Sequence, residues 1–175
     1  MNRSQPYSIR LATAADLGGL PAIERAAAAM FRSTAHPQMA DADLACEHLR
    51  ATDVVWVAVD QQQRAAGFAI VRRAATTAHL QEIDVHPEHA RQGLGARLIA
   101  AIARWAEARG ARALMLSTCD DVPWNGPYYA RLGFRVLAAA ELTPELLLAR
   151  QIEAAAQLPM EHRICMQLTL GSPGA

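Results

Sequence analysis

Apolar residues recur at two spacings along the chain, and each spacing predicts one kind of element. Short apolar runs bounded by polar turns are typical of β-strands, and they cover residues 7–11, 54–59, 65–71, 76–85, 113–117, 135–137 and 164–170. Apolar residues at every third or fourth position predict helices, at residues 14–31, 40–50, 93–109 and 144–156. We therefore expect an α/β (α+β) fold: a mixed, mostly antiparallel twisted sheet of about six to seven strands with helices on both faces.

Two details of the helical pattern matter for the site. Thr13 is a candidate N-cap for the first helix, but Pro21 lies inside the same pattern, so that helix either begins later or is kinked. The strand–helix–strand order around residues 93–109 makes the strands at 76–85 and 113–117 parallel neighbours.

Composition narrows the class of protein. With 175 residues, 52% of them apolar and 19% charged, the chain is expected to be one folded domain over residues 1–175, with a core from about residue 7 to 170. Its net charge is zero and it contains no lysine, which argues against a nucleic-acid partner. Because no leader peptide and no membrane-length apolar run is visible, we expect a cytoplasmic protein without a membrane partner.

Neither the cysteines nor the histidines show a spacing typical of a metal site. The three cysteines are far apart and odd in number, which favours reduced, buried thiols over a disulfide framework; they are Cys46, Cys119 and Cys165. The histidines that we considered as ligands are His36, His48, His86, His89 and His162. The sequence therefore predicts no metal cofactor.

Residues 80–98 read as a strand, a turn with Gly93 and Gly95, and the start of a helix. The first N–H groups of a helix lack partners within the helix and favour an anion, and glycines let an anion approach the backbone. Arg91 adds a nearby positive charge. The spacing is not that of a P-loop, and Leu98 stands where a dinucleotide fingerprint needs its third glycine.

This turn resembles the pyrophosphate-binding motif of the GNAT superfamily of N-acetyltransferases, Gln/Arg-x-x-Gly-x-Gly/Ala. Gly93 and Gly95 match its glycines, whereas Ala90 departs from its first position and Arg91 is the candidate replacement. A second match is Tyr-x-x-x-Gly-Phe, here Tyr129 to Phe134. In the family, acetyl-CoA is the co-substrate, and its pantetheine arm inserts where the fourth and fifth strands separate.

The resemblance implies a set of residues that bind acetyl-CoA. By position in the motifs they are Ile83, Asp84, Val85, Ala90, Arg91, Gln92, Gly93, Leu94, Gly95, Ala96, Asn125 and Tyr129. Main-chain groups of Ile83 and Val85 are expected to pair with the pantetheine arm, and the Val85 N–H to meet the oxyanion.

Acetyl transfer to an amine needs a base for the amine and an acid for the leaving thiolate. The resemblance makes Tyr129 the candidate acid, with Tyr128 as its neighbour one residue outside the motif. We weigh Glu82 and His79 equally as the base, with Asp84 behind them. Strand alternation would place Glu82 and Asp84 together with Leu80 on one face, and His79 with Gln81, Ile83 and Val85 on the other. Ion pairs with arginine are the structural alternative for both carboxylates.

The acceptor pocket carries no recognisable code. The resemblance places it near the loop at residues 32–39 and the helix after it, where Phe31, Trp56 and Phe68 line the pocket or pack in the core. Asp120, Asp121 and Asn125 follow the fifth strand and either attract a cationic amine or cap their own turn.

Together these features predict an N-acetyltransferase that moves an acetyl group directly to a primary amine of a small molecule or to an amino terminus, since no nucleophile–base pair for a covalent intermediate is visible. The alternatives are a non-catalytic acyl-CoA-binding module on the same fold and an interaction subunit of a larger complex. A homodimer through the last strands is a hypothesis from fold analogy alone.

Overall fold

The computed structural model describes residues 6–171. Its strands are β1 (Tyr7–Leu11), β2 (Asp53–Asp60), β3 (Ala65–Arg73), β4 (Thr77–Val85), β5 (Ala113–Cys119), β6 (Arg135–Val136) and β7 (Arg163–Thr169). Its α-helices are α1 (Ala14–Leu17), α2 (Leu20–Ala28), α3 (Leu94–Glu107), α4 (Gly126–Arg131) and α5 (Pro144–Ala155). Short 3₁₀ turns cover Ala29–Ser33, Pro37–Asp41, Ala45–Glu47, Pro87–His89, Ala139–Glu141 and Met160–His162. None of the helices within this range is long and apolar enough to span a bilayer.

The strands form one seven-stranded sheet in the order β1-β2-β3-β4-β5-β7-β6. Every neighbouring pair is antiparallel except β4 and β5, which are parallel and joined through α3. This confirms the mixed, mostly antiparallel sheet expected from the sequence.

Side chains of alternate strand residues build two cores, one on each face of the sheet. On the first face, Ala69 and Val71 of β3 pack in one cluster with Ile99 and Ile102 of α3. On the opposite face, Phe68 and Ile70 of the same strand pack with residues of α2. Helices therefore cover both faces, as predicted.

The parallel ladder between β4 and β5 is short. It joins Thr77 to Ala113, Ala78 to Leu114 and His79 to Met115, and then stops. Both strands continue beyond this point, β4 to Val85 and β5 to Cys119. The sheet therefore opens between its two central strands.

A β-bulge in β4 changes which of its side chains lie on which face of the sheet, compared with the prediction. Ile70 of β3 pairs with Glu82, whereas the next residue pairs with Leu80, so Gln81 is an extra residue without an opposite partner. An extra residue reverses the alternation beyond it. As a result, His79 lies on the same face of the sheet as Glu82 and Asp84. The prediction that His79 shares a face with Ile83 is therefore wrong, because it assumed an uninterrupted alternation along β4.

The segment before β2 also differs from the prediction. The first helix is divided into α1 and α2 at Gly18-Gly19, with Pro21 in the first turn of α2. The helix predicted at residues 40–50 is wrong: that range holds the end of one 3₁₀ turn and a second one, Ala45–Glu47. Two backbone N–H groups of this segment, those of Ala45 and Cys46, donate to the side chain of Glu24 instead of to helical carbonyls.

Gly67 of β3 allows β4 to approach closely, and a side chain there should cost stability. A Cβ on Gly67 would lie 2.7 Å from the Asp84 carbonyl oxygen, so we expect Gly67→Ala to lower the free energy of unfolding by about 1–3 kcal/mol, as measured by urea denaturation. Gly18→Ala is the matched control, since a Cβ there meets nothing within 4 Å and should change stability by less than about 0.5 kcal/mol. Equal effects of the two substitutions would show that the approach of the strands is not tight.

Candidate active site

A cleft opens where β4 and β5 separate, with a volume of about 1440 Å³. The second half of β4 and the turn after it form one wall, and α4 with the end of β5 forms the other. Phe31 from the first 3₁₀ turn and Trp124 before α4 contact each other edge to face, with ring centroids 5.8 Å apart, and both line the cleft. By contrast, Phe68 is fully buried in the core, and Trp56 packs against the core clusters.

The turn before α3 presents unpaired N–H groups to the cleft. Gly93 adopts the left-handed conformation, with φ 72° and ψ 14°, as the N-cap of α3. The first intrahelical bond after it runs from Arg97 N to the Gly93 carbonyl at 3.0 Å, so the N–H groups of Leu94, Gly95 and Ala96 come before the helical ladder begins. The N-terminus is the positive end of the helix dipole, so this turn can bind an anion.

Arg91, Gln92 and Ala90 complete this turn. Arg91 is exposed and also left-handed, with φ 59°, while Gln92 donates to the Tyr7 hydroxyl at 3.2 Å. Ala90 lines the cleft through its backbone position but offers no side-chain donor. The guanidinium of Arg91 is therefore the basic group that the turn offers to an anion.

Tyr128 takes a position that the sequence did not indicate. A Cβ on Gly95 would lie 2.9 Å from the Tyr128 hydroxyl oxygen, so this hydroxyl reaches the first turn of α3. Gly95 is thus needed because a side chain there would collide with the Tyr128 hydroxyl. Gly93 is needed because its left-handed backbone conformation disfavours residues with a side chain.

Backbone groups of Ile83 and Val85 face the open side of β4. His86 N donates to the Ala66 carbonyl of the β3 side at 2.9 Å, and the groups of an antiparallel strand alternate in direction. The Asp84 groups therefore also face β3, with which Asp84 is in register with Phe68. Those of Ile83 and Val85 point toward β5, where the parallel ladder has ended. The Ile83 N–H donates to Glu82 Oε1 at 3.1 Å, so the Ile83 carbonyl and the backbone groups of Val85 are left to pair with an extended ligand.

Three carboxylates meet in the cleft, from Glu24, Glu82 and Asp84, with one oxygen of each within 4.8 Å of the others. Among residues 6–171, none of the three forms an ion pair with a basic side chain, so the structural alternative of arginine pairing for Glu82 and Asp84 does not hold. Burial, and then the charge of Glu24, raises the pKa of Glu82 to about 7. Burial, and then the charge of Glu82, raises the pKa of Asp84 well above its usual range. The cluster therefore holds protons near neutral pH and can exchange them.

Glu24 was missed by the sequence analysis. It lies on the apolar stripe of α2, next to Leu20 and Ile23 at helical spacing, and is 5% exposed. A glutamate on the buried face of a helix is rare unless it is paired or functional, and that signal could have identified it.

Tyr129 projects from α4 into the same region. It is 7% exposed and packs edge to face on Phe134, with ring centroids 5.6 Å apart. Burial, followed by the charges of Glu82 and Asp84, raises the pKa of its hydroxyl far above the usual range. At neutral pH this phenol is therefore a proton donor next to the carboxylates.

His79 does not join this group. It lies in the part of β4 that is still paired to β5 and lines a separate cavity of about 160 Å³ with Ser117 and Glu153. Burial lowers the pKa of His79 to about 4, so its imidazole is neutral at pH 7. This position, outside the cleft, argues against His79 as the base.

The turn after β5 is engaged elsewhere. Asp121 accepts a hydrogen bond from the His36 ring at 2.8 Å, and Asp120 lies 3.2 Å from His162 Nδ1. Asn125 lies in the cleft as the N-cap of α4, and its carbonyl accepts from Tyr129 N at 3.0 Å. Asp120 and Asp121 are thus held by histidines, and of the three polar residues that the sequence indicated in this turn, Asn125 alone lines the cleft.

Known proteins share both the sequence pattern and the fold. The family model described as "Acetyltransferase (GNAT) family" matches residues 20–134, which is more than half of the chain. That range includes the glycine turn before α3 and ends at Phe134, so it contains Tyr129 and most of the residues that line the cleft.

Solved structures with the same fold include three acetyltransferases. The ribosomal-protein-S18-alanine N-acetyltransferase from Escherichia coli is 20% identical, with 96% of each chain covered and a TM-score of 0.67. An acetyltransferase of the GNAT family from Staphylococcus aureus Mu50 is 12% identical, with 94% of this chain and 99% of that chain covered and a TM-score of 0.65. The PaiA N-acetyltransferase from Thermoplasma acidophilum, solved with coenzyme A, is 13% identical, with 93% and 98% covered and a TM-score of 0.68. With the match of the family model over its central part, the chain belongs to the GNAT family of acetyltransferases.

Proposed function

We propose that this protein transfers the acetyl group of acetyl-CoA directly to the primary amine of a small cationic molecule or of an amino terminus. One observation carries the proposal: the Tyr129 hydroxyl and the carboxylates of Glu24, Glu82 and Asp84 lie in one cleft, at the place where β4 and β5 separate. This arrangement provides a proton donor and a proton acceptor around one open strand edge.

The co-substrate part of the proposal rests on backbone geometry. The pyrophosphate would bind the N–H groups at the start of α3, with Arg91 as a counter-charge. The pantetheine arm would pair with the Ile83 carbonyl and the backbone groups of Val85, as an added strand pairs with a sheet edge. This path leads the thioester from the glycine turn toward Tyr129.

The acceptor amine arrives protonated, and the carboxylate cluster suits it for two reasons. Its negative charge attracts an ammonium ion, and Glu82, with a pKa of about 7, can take a proton from that ion when it is itself ionised. The free amine then attacks the thioester carbonyl and forms the new C–N bond. We assign Glu82 as the base and Glu24 as the charge that attracts the acceptor. The raised pKa of Asp84 favours its protonated form, so we assign Asp84 as a hydrogen-bonding neighbour of the acceptor.

Breakdown of the tetrahedral intermediate completes the transfer. The Val85 N–H would donate to the developing oxyanion. As the C–S bond breaks, the Tyr129 hydroxyl gives its proton to the leaving thiolate, and the phenolate recovers a proton from the cluster or from water. No enzyme thiol is required: burial raises the pKa of Cys119, which disfavours its thiolate as a nucleophile.

Gly93→Glu should abolish acetyl-CoA binding, because it puts a carboxylate where the pyrophosphate is expected. We expect at least a roughly 100-fold loss of affinity by calorimetric titration. Gly110→Glu is the matched control: Gly110 also has a positive φ, 85° against 72° at Gly93, and a Cβ at either meets nothing within 4 Å. The two variants share the backbone strain, so only the anion site separates them. If both bind acetyl-CoA as the wild type does, the pyrophosphate is not bound at this turn.

Tyr129→Phe should lower kcat by roughly 10²- to 10³-fold and leave the dissociation constant of acetyl-CoA within about twofold, since the acid acts only as the thiolate leaves. Steady-state thiol release with a panel of primary amines measures the first quantity, and calorimetry the second. Tyr128→Phe is the matched control, because it removes the neighbouring phenol. Full turnover in Tyr129→Phe with a loss in Tyr128→Phe would assign the acid to Tyr128, and full turnover in both would remove the tyrosine from the mechanism. No turnover in the wild type, with acetyl-CoA still bound, would favour the non-catalytic module.

Glu82→Gln tests the base through the pH dependence of kcat/KM for the amine. The base is active when ionised, so in the wild type kcat/KM should rise as the pH increases through about 7, the pKa of Glu82. The variant should lose this step and fall by roughly 10²-fold or more at pH 8. Glu107→Gln, at the exposed end of α3, is the control and should keep the wild-type profile. A step that persists in Glu82→Gln belongs to another group or to the amine itself.

A further inference from the structure

Two histidines and two aspartates meet beside the cleft, in a group that the acetyl-transfer proposal does not use. His36 Nε2 lies 2.9 and 2.8 Å from the two carboxylate oxygens of Asp121. His162 Nδ1 lies 3.7 Å from Asp121 Oδ2 and 3.2 Å from Asp120 Oδ1. The rings of the two histidines are also adjacent, with centroids 5.0 Å apart.

The donors of this group come from three separate segments. His36 precedes the 3₁₀ turn Pro37–Asp41, Asp120 and Asp121 follow β5, and His162 precedes β7. One donor atom each from His36, Asp121 and His162 lies within 4.8 Å of the others. Four ligands at about 2.0–2.2 Å from a zinc ion stand roughly 3.3–3.6 Å from one another, so only small shifts would be needed.

Charge and accessibility also suit a divalent cation. The Asp121 carboxylate lies between the two histidines, 2.9 Å from His36 Nε2 and 3.7 Å from His162 Nδ1. With Asp120 it supplies two negative charges against the two positive charges of the metal. The side chain of His36 is 5% exposed and therefore fixed, whereas those of Asp121 and His162 are 32% and 41% exposed and can be reached from solvent.

We propose that His36 Nε2, Asp121 and His162 Nδ1 bind a divalent transition metal ion, Zn²⁺ in the first instance, with Asp120 next to the fourth position. Imidazole nitrogen and carboxylate oxygen are a donor set that zinc accepts. The proposal departs from the sequence-based expectation of no metal, which considered only spacing along the chain.

The role of such an ion would be structural. It would join the segment before Pro37, whose following residues line the cleft, to the turn that leads into α4 and Tyr129. Within residues 6–171, no β-ladder joins the segment at His36 to that turn. The ion would therefore fix the acceptor side of the cleft without touching the reacting atoms.

The test is a zinc titration of the untagged full-length chain in competition with a chromophoric chelator. We expect one zinc ion per chain, bound with a dissociation constant in the micromolar range or below. His162→Gln should weaken binding by roughly 10-fold or more; because this side chain is partly exposed, the variant is expected to fold. His36→Gln and Asp121→Asn should do the same. Zinc at about 100 times its dissociation constant should raise the wild-type Tm by roughly 5–10 °C, and excess chelator should reverse this shift.

His89→Gln is the matched control, since His86 and His89 form a second close histidine pair, with ring centroids 6.0 Å apart. It should bind zinc as the wild type does. Substitution of Co²⁺ adds an independent readout, because the absorption of a four-coordinate site with nitrogen and oxygen ligands should appear in the wild type and not in His162→Gln. A wild type without zinc binding at tens of micromolar, equal affinity in His162→Gln, or loss of binding in His89→Gln alone would each overturn the proposal. None of these readouts depends on acetyl-CoA or on turnover.

Discussion

The structure depends on a parallel ladder that is stopped early. β4 and β5 share three residue pairs, and then both strands continue apart, which leaves the backbone groups of Ile83 and Val85 without a partner strand. An unpaired edge within a sheet is normally costly and prone to unwanted association. Here the edge lies inside a cleft, where it can be satisfied by an extended ligand. Within the described residues, the parallel pair of β4 and β5 therefore lies where a bound ligand can hydrogen-bond to the open strand edge.

The bulge at Gln81 turns this opening into a chemical site. Without the extra residue, the register with β3 would place His79 and Glu82 on opposite faces; with it, both lie on the face covered by α2 and α5. Glu82 and Asp84 then meet Glu24, which comes from α2. Burial raises the pKa of Glu82, and the positive charge of Arg163 lowers it slightly against that effect, but that guanidinium is engaged by Glu153. The carboxylates are therefore left close together and without a cation, a costly arrangement in a partly buried place and one that is common at functional sites.

Local signals were read correctly from the sequence, and non-local ones were not. Gly93, Gly95 and the helix after them lie within one short stretch, so composition and spacing predicted the strand, the turn and α3. The bulge depends on how β4 pairs with β3, which no pattern within β4 encodes. The wrongly predicted helix at residues 40–50 shows the same limit, because its N–H groups are satisfied by Glu24, more than 20 residues earlier in the chain.

The histidine group illustrates this further. His36 and Asp121 are separated by 85 positions, so spacing rules for metal ligands had nothing to detect. The assignment of Tyr129 came from the resemblance to the family, and its neighbour Tyr128 reaches the first turn of α3 for a reason visible only in three dimensions: the missing side chain of Gly95 leaves room for its hydroxyl.

The carboxylate cluster has a consequence for the end of a catalytic cycle. An acceptor that enters as an ammonium ion leaves as a neutral amide, because acetylation removes the basic lone pair. The attraction that draws the substrate in would thus disappear in the product, while the three carboxylates, once their extra proton has passed to solvent, would again favour a cation. The same charges would then favour binding of the substrate over binding of the product, so loss of the positive charge would by itself promote product release.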